Sequence, residues 1–226
     1  MTKHAAAASR TIPRDAETRD RLLKAAERLF AERGFKKVTV RDICRAARAN
    51  VAAVNYHFGD KEGLYREVLQ IATDVVHSTT DAGRKAGEGC APEEKLQRYF
   101  SVFLQRALTP GHENLHQLIQ REIDDPTAAL DAFVEDAVRP RIEYLASIVA
   151  EMTGRDRRDP VTLRCVASIL SQALVYVRHR NPIAERLGFS FRGTPAEIGE
   201  AARHIARFSV AGIRAVAARP AQGIRA

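Results

Sequence analysis

Two stretches of the chain hold residue types that could do chemistry. His112-Glu-Asn-Leu-His116 has the HExxH spacing of helical zinc peptidases, in which two imidazoles one turn apart bind the metal and Glu113 would act as general base. The pattern fixes only three positions and starts directly after Pro110-Gly111, and no further histidine follows before His179. Glu122 and Glu135 are the conceivable third ligands, and nothing in the spacing selects either. The reading is therefore a solvated or pocket-lining histidine pair, with no metal or other cofactor and no catalytic residue; a zinc-dependent hydrolase stands as the alternative. No glycine-rich phosphate loop or nucleophile elbow is present, and Cys44, Cys90 and Cys165 lack metal or redox spacing. The second stretch is Tyr56-His57-Phe58 with Lys61. Alone, such a trio reads as an aromatic core cluster; hydroxyl, imidazole N–H and ammonium are also donors to an anion.

Charge favours the anion. From Met1 to Arg66 the chain has 15 Lys and Arg against 8 Asp and Glu, and from Glu67 to Ala226 the counts are 21 and 20. Nearly all of the formal net charge of +8 therefore lies at one end, which is the electrostatic footprint of a nucleic-acid contact. A solvated surface alone would scatter its charge evenly; a non-regulatory helical interaction module with an incidental basic end stands as the other alternative. With 226 residues, 45% of them hydrophobic, the chain can bury a sizeable core. No apolar run approaches the ~18 residues of a membrane span. Ala5–Ala8 is too short for a signal-peptide core. A soluble, cytoplasmic protein without membrane partners is expected.

Helices must position these residues. Apolar residues recur at helical spacing in almost every segment and strand-like alternation is absent, so the fold class is all-α with about nine helices. Leu22, Ala26, Leu29 and Phe30 share a face that Gly34 ends as a left-handed cap. Thr39 and Asp42 form a capping-box pattern opening a short helix whose Ile43 and Ala47 face inward. Val51 to Phe58 forms the next, with Val54 and Phe58 inward and Val51, Ala52, Ala53 and Asn55 outward. Asp60 caps a fourth helix carrying Leu64, Val68, Ile71 and Val75. Three glycines and a proline make residues 82–92 a loop.

Further on, Leu96, Tyr99, Phe100, Phe103, Leu104 and Leu108 line a helix that Pro110-Gly111 breaks. A short helix with Leu115, Leu118 and Ile119 follows. Asp125-Pro126 opens a long one that Pro140 should kink and Gly154 should end. Asp159-Pro160 and Thr194-Pro-Ala-Glu197 are clean helix starts. Leu163, Val166, Leu170, Leu174 and Val177 share a face of the first; Ile198, Ala202, Ile205, Ser209, Gly212 and Val216 line the second. His179 is placed to cap a helix C-terminus.

The run Val51-Ala-Ala-Val-Asn-Tyr-His-Phe-Gly-Asp-Lys-Glu-Gly-Leu-Tyr65, after two helices of this kind, resembles the TetR family of bacterial transcriptional repressors over roughly residues 15 to 66. The resemblance implies a helix-turn-helix head with Val51–Phe58 as recognition helix. It makes Tyr56, His57, Lys61 and the N-terminus of the fourth helix phosphate contacts, with Thr39 and Arg41 as further backbone or base contacts. Two departures stand out. Arg48 occupies the turn where most members have Gly, so either the turn has another geometry or Arg48 offsets its strain by reaching a phosphate. Asn55 replaces a Tyr and could pair with adenine; with Val51, Ala52 and Ala53 meeting thymine methyls, an A·T-rich half-site is expected.

The expected organisation is a flexible arm at 1–13, whose Lys3 and Arg10 could enter the minor groove as could Arg14, and a helix-turn-helix domain at 14–60. A helical effector-binding and dimerisation domain follows at 61–217, then a flexible tail at 218–226. The resemblance implies a homodimer through the helices near 160–180 and 195–217, bound to a palindromic double-stranded operator and released by a small-molecule effector. Arg121-Glu-Ile-Asp-Asp-Pro126 and the helix with Pro140 resemble the CecR-like branch of the family, some of whose members regulate export genes. Glu122 falls on an apolar stripe. It is either matched by an arginine or anchors a cationic or donor ligand among Phe100, Phe103, Phe133 and Tyr144.

Overall fold

The computed structural model describes residues 14–177 and 191–218, with Arg186 and Gly188 between them; among those residues the regular structure is helical, with no strand. The arm before residue 14, the cap at His179 and the tail beyond 218 lie outside the described residues. The chain forms two compact units, one reaching Leu69 and the other starting at Gln70.

The first unit holds α1 (Arg14–Arg33), α2 (Val40–Ala47), α3 (Val51–Phe58) and the start of α4 (Lys61–Ala86). Helices of eight residues are marginal alone, so their shared core must hold them. Leu22, Ala26, Phe30, Ile43, Val54, Leu64 and Val68 are fully buried, and each of the larger side chains contributes roughly 1.5–3 kcal/mol through burial. Phe30, Phe35 and Tyr65 pack with ring centroids 4.7–6.0 Å apart. Gly34, at φ 79°, ends α1 as expected.

The second unit continues with α5 (Pro92–Ala107), α6 (Glu113–Asp124), α7 (Leu130–Phe133), a π-helical segment (Val134–Val138), α8 (Arg139–Thr153), α9 (Pro160–Val177) and α10 (Pro195–Ala217). Counted as one run, α7 to α8 brings the total to nine helices among the described residues. The α10 helix packs along α5 and also meets α8 and α9. Leu96, Tyr99, Phe100, Leu104, Leu145, Ala202 and Ile205 are fully buried between them.

Several expectations are corrected. The 82–92 segment is helical to Ala86, because its glycines serve packing: a Cβ on Gly83 would stand 2.5 Å from the Tyr99 ring. The long helix starts at Leu130 and not at Asp125-Pro126, because the Thr127 N–H and hydroxyl both donate to Glu122 (2.8 and 2.9 Å) and hold the chain in a turn. Pro140 follows a π turn in which the Arg139 N–H reaches back to the Val134 carbonyl, so its missing N–H falls where regular bonding is already given up.

The α9 stripe divides. Val166, Ile169, Ala173 and Val177 are buried, while Leu163, Leu174 and Val175 are exposed. This helix is apolar on two faces, and by length and composition its 18 residues (mean hydropathy 1.4) reach what a span needs, contrary to expectation. Its inner face packs on α8 and α10, as a helix of this bundle does. Along α10, Ala202 and Ser209 are internal, while Gly212 is exposed.

Candidate nucleic-acid interface

The sequence around α2 and α3 builds a rigid corner. The Thr39 hydroxyl and N–H both donate to the Asp42 carboxylate (2.6 and 3.1 Å), and the Asp42 N–H donates back to the hydroxyl (3.2 Å). The Thr39 side chain, and after it the Thr39 N–H, hold the Asp42 carboxyl below the usual range. Thr39 is thereby spent largely on the cap, while Arg41 beside it is exposed.

The turn keeps the left-handed geometry that glycine favours. Arg48 adopts φ 51°, ψ 47°, the sole positive-φ non-glycine among the described residues, and its side chain is exposed. Asn50, not among the expected caps, caps α3 by accepting from the Ala53 N–H at 2.9 Å. Its type and its place just before an apolar helix were the available signal.

From this corner α3 presents one face outward. Val54 and Phe58 are buried, Val51, Ala52 and Asn55 are exposed, Ala53 is half-buried, and Tyr56 is 76% exposed. The Tyr56 ring and hydroxyl are thus open to a partner on the same face as Val51, Ala52 and Asn55. Ala52, Ala53, Tyr56 and His57 border an open groove with Asn50 and the Asp15, Thr18 and Arg21 of α1. His57 and Lys61 are less free than expected. The His57 side chain is 7% exposed with Nε2 3.4 Å from Asp15 Oδ1, and Lys61 Nζ sits 4.2 Å above the Phe35 ring as a cation–π contact. At the start of α4 the Gly63 N–H donates to Asp60 (2.7 Å), the expected cap.

The other candidates fall in the second unit. Phe100, Phe103 and Tyr144 share its main core, whereas Phe133 packs with Val76 and Ala137 in a separate cluster. Glu122 is fully buried and accepts from Thr127. His112 Nδ1 lies 3.0 Å from the Arg106 carbonyl and His116 Nε2 3.1 Å from the Ala107 carbonyl. Both imidazoles thus satisfy the open carbonyl end of α5, a helix-terminal task. No group of three potential metal ligands occurs among the described residues.

A basic helix-turn-helix head followed along the chain by a helical bundle is a known organisation. Residues 22–68 match the model for bacterial regulatory proteins of the tetR family. Residues 92–213, over half of the chain, match the model for the C-terminal domain of the HTH-type transcriptional dual regulator CecR. The chain belongs to the TetR family. The CecR dual regulator of Shigella flexneri is 26% identical over 183 residues, covering 77% of this chain and 82% of that protein. The repressor NicS of Pseudomonas putida is 26% identical over 178 residues, covering 75% and 80%. The crystal structure of AibR with isovaleryl coenzyme A and operator DNA shares the fold, with a TM-score of 0.63, 19% identity and coverage of 84% and 97%. This TetR-family chain is a DNA-binding transcriptional regulator and not an enzyme; the hydrolase and the interaction-module alternatives are both set aside.

Proposed function

We infer that this TetR-family regulator is a cytoplasmic homodimeric repressor that binds a palindromic operator through α3 and leaves it when a small molecule fills the helical domain. The observation that carries the DNA side is the outward face of α3, with Tyr56 largely exposed while Val54 and Phe58 are buried beneath it. In this reading Val51, Ala52, Ala53 and Asn55 meet base edges, while Arg41, Arg48, Tyr56 and the start of α4 meet phosphates. His57 and Lys61, already held by Asp15 and Phe35, reach phosphate only by giving up part of those contacts.

Dimerisation is supported by α9 and α10. Leu163, Leu174, Val175, Phe208 and Val216 are exposed, and a shallow trough between the two helices runs past Cys165 and Gly212. A Cβ on Gly212 would meet nothing within 4 Å in this protomer, which leaves room for a partner helix. Two heads so joined could meet successive major grooves about 34–36 Å apart, a spacing a small pivot destroys. The effector side draws on AibR, solved with both an acyl-coenzyme A and its operator.

Selection of bound duplexes from a random pool, alongside sedimentation of the protein, tests the reading. The expected product is an inverted repeat with A·T-rich contacted positions, bound by a dimer, and Leu174→Glu should yield a monomer with little operator affinity. Unrelated recovered sequences, or undiminished palindrome binding by a monomer, would refute it.

A further inference from the structure

Buried donors without good hydrogen bonds gather at one place in the helical domain. Tyr99 on α5 has no exposed surface, and its hydroxyl makes no hydrogen bond of normal length and angle, although the Thr80 and Arg141 side chains lie close to it. The buried hydroxyl of Tyr144 and the buried Nε–H of Arg141, both on α8, likewise make none. The Tyr99 and Tyr144 rings lie 5.6 Å apart. Phe103 stacks beside Tyr99 at 6.3 Å and carries the Arg141 guanidinium 5.2 Å above its face. Arg141 makes no ion pair among the described residues. Burial pushes the Tyr99 hydroxyl pKa up; the nearby Arg141 charge, and after it the polar side-chain groups of Thr80 and Arg141, oppose it.

The α4 helix is shaped around this cluster. Besides Gly83 against the Tyr99 ring, a Cβ on Gly87 would stand 3.2 Å from the Tyr144 hydroxyl. Leaving a buried donor unpaired is unfavourable, and native structures rarely keep several together without a use. A guanidinium offers only donors. One negatively charged group with two or three oxygens could accept from all three side chains and neutralise Arg141, whereas a neutral ligand would leave that charge uncompensated. The surrounding aromatic rings would take an apolar body.

We propose that Tyr99, Arg141 and Tyr144 anchor the acidic head group, carboxylate or phosphate, of this regulator's effector. The assignment rests on the effector-release reading above and specifies the ligand's chemistry. It places the anchor on α5 and α8 and not at Glu122, whose carboxylate serves the turn after α6.

The test uses the full-length protein with benzoate, octanoate and phenyl phosphate as probes, each beside its neutral counterpart: benzamide, octanamide and phenol. Thermal unfolding and tyrosine absorbance are the readouts; the chain has no Trp and five Tyr, so Tyr99 and Tyr144 supply much of the signal. At least one acid should raise the unfolding temperature and perturb the tyrosine spectrum where its neutral counterpart does not, and the carboxylate and phosphate arms tell the two head groups apart. Arg141→Gln should weaken that acid about tenfold or more, the effect expected for a charge-assisted bond. Tyr99→Phe and Tyr144→Phe should weaken it less while leaving the free protein about as stable as before, because neither deleted hydroxyl makes a hydrogen bond of normal geometry. These two variants keep the test open if Arg141→Gln fails to fold.

Acids that act no differently from their neutral counterparts, or bind Arg141→Gln as tightly as wild type, would overturn the proposal. So would a clear loss of stability in free Tyr99→Phe. If operator binding persists while every acid fails, only the anchor falls. If acids bind a protein indifferent to DNA, the regulator reading falls and the anchor stands.

Discussion

The carbonyl oxygen of Phe58 occupies the space a side chain on residue 63 would need: a Cβ built on Gly63 lies 2.0 Å from it. The end of the recognition helix and the start of α4 are thus in backbone contact, and no rotamer change can relieve an added methyl. Gly63→Ala should therefore destabilise the head by about 3 kcal/mol, the upper end of overpacking costs. The cost should appear as an early unfolding transition together with lost DNA binding at low salt. Unchanged unfolding would mean the two helices can separate freely.

Arg48 stands in the left-handed region, and its neighbour Ala49 closes the turn by donating to the Cys44 carbonyl at 3.0 Å. A bulky residue there is strained, and glycine would relieve about 1 kcal/mol. Arg48→Gly should raise stability by that amount and weaken DNA binding several-fold if the guanidinium reaches phosphate. Chemical denaturation and DNA titration on the same preparation separate the effects. Higher stability with undiminished affinity would leave the strain without a DNA role.

Three helix starts depend on ionised carboxylates. Asp42 and Glu197 are held below their ordinary pKa by hydrogen bonds from Thr39 and Thr194, and Asp159 by the Val161 N–H. For a lowered folded-state pKa, the stabilisation is complete above the ordinary value near 4 and is lost as pH falls through the folded one. The unfolding temperature should therefore be flat on the neutral side of that window and drop on the acid side. Glu197→Gln, measured across the same pH series, should make the drop smaller. An acid limb identical in the variant would remove this cap from the account.

How much of this was legible follows from range. The boxes at Thr39–Asp42 and Thr194–Glu197 span four residues, and both stand as the sequence suggests. The inward pair Val54 and Phe58 was equally local. Gly83 was misleading because its reason is a ring on another helix, sixteen residues on. The α9 stripe merged two apolar faces that only packing separates. His112 and His116 suggested metal by spacing, while their partners are carbonyls at the end of the preceding helix. The poorly bonded hydroxyls of Tyr99 and Tyr144 are invisible in sequence, where Tyr99 reads as part of an apolar helix face and Tyr144 as a wall of a pocket around Glu122.

The account's central claim is that the exposed face of α3 reads DNA, and Tyr56→Ala tests it most directly. The wild-type and variant proteins would be titrated against a selected duplex and its scrambled form, at low and moderate salt, with unfolding measured in parallel. Because Tyr56 is exposed, stability should stay within about 0.5 kcal/mol. Specific affinity should fall at least about tenfold, with wild-type binding weakening as salt rises through the loss of phosphate contacts. A stable variant that binds the duplex as tightly as wild type would contradict the account.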